Sequence, residues 1–151
     1  MPWKTILVPH DFSSSANHAA AMARDVAKRF GARLILLHVA ELPSGIGSET
    51  AIVPEPGGAP ISMREYATSQ ASEHLNDLAA RLEKDGVTVA TTIAIGRPVD
   101  EILRVAAEEK ADLIAMGTHG RTGLKHLVTG SVTERVVRTS PIPVLTVRVP
   151  D

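Results

Sequence analysis

The chain has 151 residues, the length of one ordinary domain, with 16 Lys and Arg against 17 Asp and Glu and a formal net charge of −1. This balance lacks the basic surface expected of a nucleic-acid-binding protein, so we expect no nucleic-acid partner. The absence of cysteine excludes disulfides, thiolate catalysis and cysteine-ligated metal centres. We therefore expect one domain over residues 1–151.

The sequence contains no membrane-spanning pattern and no secretory leader. No apolar run approaches the roughly 18 residues that a transmembrane helix needs. Met1 is followed almost at once by a short strand-like run, whereas a signal peptide would show a charged segment and then a long apolar one. We expect a cytoplasmic protein without a membrane partner.

The first thirty residues predict a strand followed by a helix. Residues 4–8 form a short apolar run before Pro9, which favours a buried strand that ends there. Hydroxyl residues at 13–15 suit a helix N-cap, and small apolar residues then recur at spacings of three and four. Gly31 follows at the position of a left-handed C-cap, so the helix is predicted to end at residue 30.

The middle of the chain predicts a central strand, a long loop and a second helix. Residues 34–39 are almost wholly apolar, as in a parallel strand that is covered on both faces. Proline and glycine residues recur over 41–61 and exclude regular structure over most of that stretch, which we expect to be a flexible loop. A helical pattern follows over 66–82, and Gly86 is its predicted terminator.

The remainder of the chain continues the alternation of strands and helices. The apolar patterns predict a strand at 87–95, a helix from Pro98, a strand at 113–116, a helix at 131–139 and a last strand at 144–148. Alternating strands and helices favour right-handed crossovers, and hence a doubly wound five-stranded parallel sheet with helices on both faces. For the strand order 3-2-1-4-5, a ligand is expected where the winding reverses, beyond the ends of the first and fourth strands.

A glycine-bearing loop follows the predicted fourth strand. Gly117 and Gly120 are separated by two residues, and nine more lead to Gly130 at the start of the next helix. Glycine permits a positive φ and a close backbone approach, and the N–H groups of a helix start attract phosphate. Arg121 and Lys125 lie between the glycines and add positive charge. The loop therefore predicts an anion site, against the simpler interpretation of a plain connection.

The pattern Gly-x2-Gly-x9-Gly-Ser is neither a dinucleotide fingerprint nor a P-loop, but it resembles the ATP-binding signature of the universal stress protein family. The resemblance also covers residues 4–13, 96–98, 112–121 and 143–145, in family order. Two features depart from the family pattern. His10 stands where the family often has a small hydroxyl residue, and the loop at 41–61 is long and rich in proline.

The resemblance implies a Rossmann-like fold of the adenine nucleotide alpha hydrolase type and membership of the ATP-binding subgroup. It implies that adenine meets the main chain of Val39 and that the adenosine end is lined by Pro9 and Asp11, with His10 between them. Along the ribose and α-phosphate it implies Met116, Gly117, His119 and Gly120, followed by Arg121. Around the outer phosphates it implies Gly130, Ser131, Val132 and Thr133.

The same residues have simpler interpretations. Asp11 is either a ligand contact or an N-cap of the first helix, and His119 either meets phosphate or bonds loop carbonyls. The histidines show no metal-ligand spacing, so we expect no metal site of the protein's own. Mg²⁺ is expected only with the triphosphate, held by phosphate oxygens and water.

The leading hypothesis is an ATP-binding stress-response or regulatory protein with slow hydrolysis at most, because no nucleophile is paired with a general base. Two alternatives stay open. One is a nucleotide-hydrolysing or adenylyl-transferring enzyme that uses Asp11 and His119. The other is a protein-interaction module in which the nucleotide is only structural.

The last strand predicts a mode of assembly. Residues 144–148 would lie at an edge of the sheet, and an apolar edge strand favours pairing with another chain. Universal stress proteins resemble this arrangement in dimerising through their final strand. We therefore expect a homodimer formed by strand 144–148 of two copies related by two-fold symmetry.

Overall fold

Strands and helices alternate along the chain in the predicted order. The computed structural model describes residues 3–118 and 130–149. Its elements are, in chain order, β1 Thr5–Pro9, α1 Ser14–Phe30, β2 Arg33–Ala40, β3 Ala51–Ile52, β4 Ile61–Ser62, α2 Met63–Lys84, β5 Thr88–Ile95, α3 Pro98–Glu108, β6 Leu113–Gly117, α4 Ser131–Thr139 and β7 Val144–Val147. Within the described ranges, no helix is long and apolar enough to cross a bilayer.

The large sheet has the order β5-β2-β1-β6-β7, and all of its pairings are parallel. Counted over these five strands, the order is 3-2-1-4-5, so the sequence prediction is confirmed. The winding reverses between β1 and β6, because α1 and α4, the described helices that follow them, pack on opposite faces of the sheet. This divergence opens a crevice at the carboxyl edge.

Alternation along β2 divides the core into two layers. Leu34 and Leu36 pack among the small residues of α1 and the leucines of α2. Ile35 and Leu37 face the other way and pack against α3 and α4. Both layers share one sheet, which supports the proposal of a single domain. At the amino edge, the ring of Trp3 meets Phe30 in a T-shaped contact with centroids 5.3 Å apart.

Asp112 joins the starts of two strands at this same amino edge. Its Oδ2 accepts the N–H of Lys4 at 2.8 Å and the N–H of Thr5 at 2.9 Å. Its own N–H donates to the carbonyl of Thr5 at 2.8 Å. Asp112 therefore holds the sheet together at the edge opposite the crevice.

The helix ends follow the sequence signals where a side chain or a glycine sets them. Ser13 is the N-cap of α1, and Gly31 ends that helix with a left-handed φ of 68°, as predicted. The second helix begins earlier than predicted, because Ser62 caps it by accepting the N–H of Glu65 at 3.1 Å. The sequence predicted that β1 ends before Pro9. In the structure, Pro9 is the last residue of β1 and pairs with Leu37 of β2.

The proline-rich stretch from 41 to 61 is irregular over most of its length, as expected, but it also contains a small hairpin. Ala51 and Ile52 pair antiparallel with Ser62 and Ile61. The sequence pattern missed this pairing because two residues are too few to establish an alternation. The flexibility of the loop stays a prediction.

Gly117 allows the end of β6 to touch the start of α1. A Cβ at this position would lie 2.0 Å from Oγ of Ser15 and 2.7 Å from its carbonyl carbon and oxygen. No side chain fits there unless the backbone of one element moves. The absence of a side chain at Gly117 thus sets the distance between β6 and α1.

We predict that Gly117→Ala lowers the free energy of unfolding by about 1–3 kcal/mol, because the added methyl group overpacks this contact. Gly47→Ala is the matched control, since its Cβ would meet only Oγ1 of Thr50 at 3.8 Å. We expect the control to change stability by less than about 0.5 kcal/mol. Urea unfolding of both variants checks this, and equal stability of the two would contradict it.

Candidate functional site

A cavity of about 510 Å³ lies at the carboxyl edge of the sheet, where the winding reverses. The predicted site residues that line it are Pro9, His10, Asp11, Val39, Met116, Gly117, Gly130, Ser131, Val132 and Thr133. The predicted residues His119, Gly120 and Arg121, together with Lys125, lie outside the described residues. The structure thus brings segments that are about 120 residues apart in sequence into one cavity.

The sequence analysis missed several residues of the cavity wall. They are Ser13, Ala16, Leu37, His38, Ala40, Glu41, Pro98 and Ile102. Pro98 was predicted only as the start of a helix. The signal that could have placed it at the cavity is the strand order, since α3 begins at the same carboxyl edge of the sheet as the predicted loops.

The start of α4 presents backbone donors at this cavity. Gly130 is its N-cap, and no side chain of the described residues caps this helix start. The first helical bond runs from the N–H of Glu134 to the carbonyl of Gly130 at 2.9 Å. The N–H groups of residues 131–133 therefore have no acceptor within the helix, and the positive end of the helix dipole lies there.

The glycines at this site do not serve by adopting a left-handed conformation. Gly130 has φ −68° and ψ 158°. The φ of Gly117 is not positive either. Gly117 instead permits the contact with α1, and Gly130 adds no side chain to the cavity wall. The N–H of Gly130 bonds to the carbonyl of Thr118, so the two residues that flank positions 119–129 are joined directly.

Thr133 ties α4 to β6. It is 5% exposed, and its Oγ1–H donates to the carbonyl of Gly117 at 2.8 Å. Because that hydroxyl proton is engaged, a hydrogen bond from Thr133 to an anion would come from its backbone N–H. Ser131, in contrast, is exposed.

The loop after β1 forms the facing wall. Oδ1 of Asp11 accepts the N–H of Ser13 at 3.0 Å, and Oγ of Ser13 accepts the N–H of Ala16 at 3.1 Å. The N-cap of α1 is therefore Ser13, and the interpretation of Asp11 as that cap is wrong. Asp11 braces the loop by an Asx turn and is half-buried at the cavity.

His10 lines the cavity, but its ring is bonded to the protein. The residue is 4% exposed, Nδ1 accepts the N–H of Phe12 at 3.0 Å, and Nε2 lies 2.9 Å from Oδ1 of Asn17. Burial lowers the pKa of the His10 imidazole below its ordinary value, against the raising effects of Asn17 and Asp11.

In the part of the chain that the structure describes, no three His, Asp or Glu residues are placed to hold a metal ion.

A second cleft of about 640 Å³ continues from the cavity along α3 and α4. The two share Glu41, Pro98, Ser131 and Val132. Arg97, Arg135 and Arg138 line this second cleft, where Arg138 pairs with Glu134. Three arginines thus line the cleft beside α4, although Glu41 and Asp100 offset part of their charge.

Comparisons with known proteins agree with one another over nearly the whole chain. Residues 2–148 match the family model of the universal stress protein family. Universal stress protein MJ0531 of Methanocaldococcus jannaschii is 34% identical over 148 residues, which are 98% of this chain and 84% of the relative. The solved structure of protein MJ0577 from the same organism has a TM-score of 0.79 at 32% identity and covers 100% of this chain and 99% of that one. A universal stress protein solved in complex with cAMP has a TM-score of 0.71 at 25% identity and covers 98% of both chains.

We predict that Thr133→Val lowers the free energy of unfolding by about 1–2 kcal/mol, because the buried bond to Gly117 is lost while the side-chain volume is kept. Ser131→Ala is the control, since Ser131 is exposed and should change stability by less than about 0.5 kcal/mol. Chemical unfolding measures both. A Thr133→Val protein as stable as the unaltered chain would show that this bond does not hold α4 on the sheet.

Proposed function

Since the chain belongs to the universal stress protein family, we propose that it binds an adenine nucleotide, and ATP in particular, in the cavity at the carboxyl edge of the sheet. The observation that carries this proposal is the uncapped start of α4 at one end of a cavity with largely apolar walls. Such a cavity offers an apolar surface for a base and donors for phosphate.

The phosphate end of the proposed site is the start of α4. The N–H groups of residues 131–133 are donors without helical acceptors, and an anion at a helix start is stabilised by the dipole as well. Arg135 and Arg97, in the adjoining cleft, add positive charge beside it. We propose that His119, Gly120 and Arg121 complete this end, on the strength of the sequence resemblance.

The adenosine end of the proposed site lies between β2 and the loop after β1. Val39, Met116 and Ile102 give it apolar walls, and Asp11 gives it a carboxylate that can accept from ribose hydroxyls. We propose that the main chain of Val39 meets the adenine. The relative solved with cAMP supports an adenine nucleotide as the ligand class. Mg²⁺ would arrive with a triphosphate and be held by phosphate oxygens and water.

We propose a regulatory role for the bound nucleotide, with slow hydrolysis at most. Among the described residues at the cavity, the ring of His10 is bonded to Phe12 and Asn17, and Oδ1 of Asp11 accepts from Ser13. Both groups brace the loop, which leaves them poorly placed to activate water.

Nucleotide released by heating the purified protein and separated by anion exchange identifies any ligand that co-purifies with it.

Ser131→Pro tests the phosphate end. Proline suits the first position of a helix, and Gly130, with φ −68° and ψ 158°, already has the conformation that proline requires of its predecessor. The substitution therefore removes one N–H donor from the site and keeps the helix. We expect Mg·ATP to bind about ten- to a hundredfold more weakly than to the unaltered chain, as for a lost bond to a charged group.

Ser131→Ala is the matched control, because it removes the hydroxyl and keeps the N–H. Calorimetric titration of nucleotide-free protein measures both variants, and thermal unfolding checks that both are folded. Equal affinity of the two variants would place the phosphates elsewhere. Absence of Mg·ATP binding to the unaltered chain would overturn the proposed function.

We propose a homodimer through β7, the outer strand on its side of the sheet. The N–H of Ile114 bonds to the carbonyl of Pro143, and the N–H of Thr118 bonds to that of Val147. In a parallel pair, alternate residues of a strand bond to the neighbouring strand. The N–H and C=O groups of residues 144 and 146 therefore point away from β6, toward the open edge of the sheet. Val137 on α4, which is 50% exposed, adds apolar surface to that of β7.

Thr146→Pro tests this assembly, because it removes an outward N–H and leaves the bonds to β6 intact. We expect light scattering at micromolar concentration to give the mass of a dimer for the unaltered chain and of a monomer for the variant. Thr146→Val keeps the N–H and should remain a dimer. A monomeric unaltered chain would refute the proposal.

A further inference from the structure

The backbone of His10 fastens the loop after β1 to the neighbouring strand. Its N–H donates to the carbonyl of Leu37 at 2.7 Å. Its carbonyl accepts from Nδ1 of His38 at 2.8 Å, and because a carbonyl only accepts, that nitrogen carries a proton. Position 10 is therefore the fixed point from which the loop continues into the cavity wall.

The contacts of the His10 ring define its protonation state. The N–H of Phe12 is only a donor, so Nδ1 at 3.0 Å must be unprotonated to accept it. The ring proton then lies on Nε2 and donates to Oδ1 of Asn17 at 2.9 Å. The imidazole in this arrangement is neutral and in one tautomer.

The bond between His10 and Phe12 stabilises an unusual backbone. Phe12 has a φ of 66°, which a bulky residue rarely adopts. Its ring stacks on His38, with centroids 4.5 Å apart and planes at 29°, and meets His74 of α2 at 5.2 Å. The turn at Phe12 connects Asp11, at the cavity, with Ser13, at the cap of α1.

Protonation of His10 is incompatible with this loop. A proton on Nδ1 would face the N–H of Phe12, so two donors would stand about 3 Å apart. Burial of the ring opposes the charged form, as do the nearby His38 of β2 and Arg81 of α2, whereas Asp11 and the bond to Asn17 of α1 favour it. The ring is therefore neutral near pH 7 and gains its proton only in acid.

We propose that His10 is a positioning residue of the nucleotide site. Its neutral ring holds residues 9–13 in the conformation that presents Asp11 to the ligand, and protonation releases this loop. Nucleotide affinity then falls as the pH falls. This inference rests on the proposed function for its ligand, but the hydrogen bond behind it is measurable without one.

His10→Asn keeps an acceptor for the N–H of Phe12 but removes the titrating imidazole, so it distinguishes the structural role of His10 from its response to pH. An asparagine Oδ1 accepts the N–H of the second residue after it, as in an Asx turn, and does not titrate. From about pH 7.5 to about pH 5.5, we expect the unaltered chain to lose more affinity for Mg·ATP than the variant loses, by a factor below about ten, because the pKa of His10 lies below its ordinary value. His18→Asn, at an exposed position of α1, is the matched control and should behave like the unaltered chain.

The ratio of the variant's affinity to that of the unaltered chain, taken at each pH, separates the contribution of His10 from that of the other titrating groups. The outer phosphate of the nucleotide also titrates, at about pH 6, but the same nucleotide is present in every measurement compared, so its effect cancels from the ratio. Circular dichroism at each pH checks that the proteins are folded. A ratio that stays constant with pH overturns the proposal.

Nitrogen NMR of the nucleotide-free, unaltered chain tests the same geometry without a ligand and without a variant. We expect Nδ1 of His10 to be unprotonated at neutral pH, and the amide signal of Phe12 to shift with the titration of that ring. A protonated Nδ1 at neutral pH overturns the proposal. If no nucleotide binds at about pH 7.5, the proposed function fails, and this spectrum still decides whether His10 holds the loop.

Discussion

The site depends on the contact between the end of β6 and the start of α1. Gly117 has no Cβ, so the backbone of Ser15 can pack directly against it. The carbonyl of the same glycine accepts the hydroxyl of Thr133 in α4. One residue without a side chain thus holds two helix starts, on opposite faces of the sheet, at a fixed separation. The cavity is the space that this separation leaves between them.

The helices of the described residues, α1 to α4, differ in how the N–H groups at their starts are satisfied. Ser13 caps α1 and Ser62 caps α2, each with its own side-chain oxygen. The third helix has no side-chain cap, but it begins with Pro98, which has no N–H, and its first turn carries Asp100 as well as Glu101, the latter paired with Arg104. The fourth also lacks a side-chain cap, and its one acidic residue there, Glu134, is paired with Arg138. Among the described helices, α4 is thus the one whose start lacks both a side-chain cap and an unpaired acidic residue in its first turn, which is why we propose it for the phosphates.

Local signals in the sequence predicted most of the fold. The spacing of alanines along α1, with Ser13 before it and Gly31 after it, specifies that helix without reference to the rest of the chain. The sheet order follows from the alternation of strands and helices, which leaves few topologies open. The segments of the site were predictable as well, because the winding reversal selects two loops. The glycine pattern of one of these loops predicts phosphate there, and that prediction is part of the proposed function.

What the sequence did not predict depends on contacts between distant segments. Gly117 was interpreted as a glycine that permits a positive φ and a close approach of the backbone to a ligand, whereas the structure packs it against Ser15, a contact that no spacing encodes. Asp112, within the stretch that carries the family resemblance, bonds Lys4 and Thr5 at the opposite edge of the sheet. The ring of His10 faces Asn17, one helical turn into α1, because the loop turns sharply at Phe12. Each of these roles requires a bond or a close approach that only the folded chain brings about.

The contact between Trp3 and Phe30 makes the intrinsic tryptophan fluorescence of the chain a measure of its folding. Trp3 is the single tryptophan of the sequence, and it lies at the amino edge of the sheet, opposite the cavity. Its fluorescence therefore registers the separation of α1 from β1 when the chain unfolds. Trp3 is not among the residues that line the cavity, so a ligand held there would not touch the indole. Intrinsic emission is therefore suited to following the unfolding of the chain, whereas occupancy of the cavity is measured by calorimetric titration.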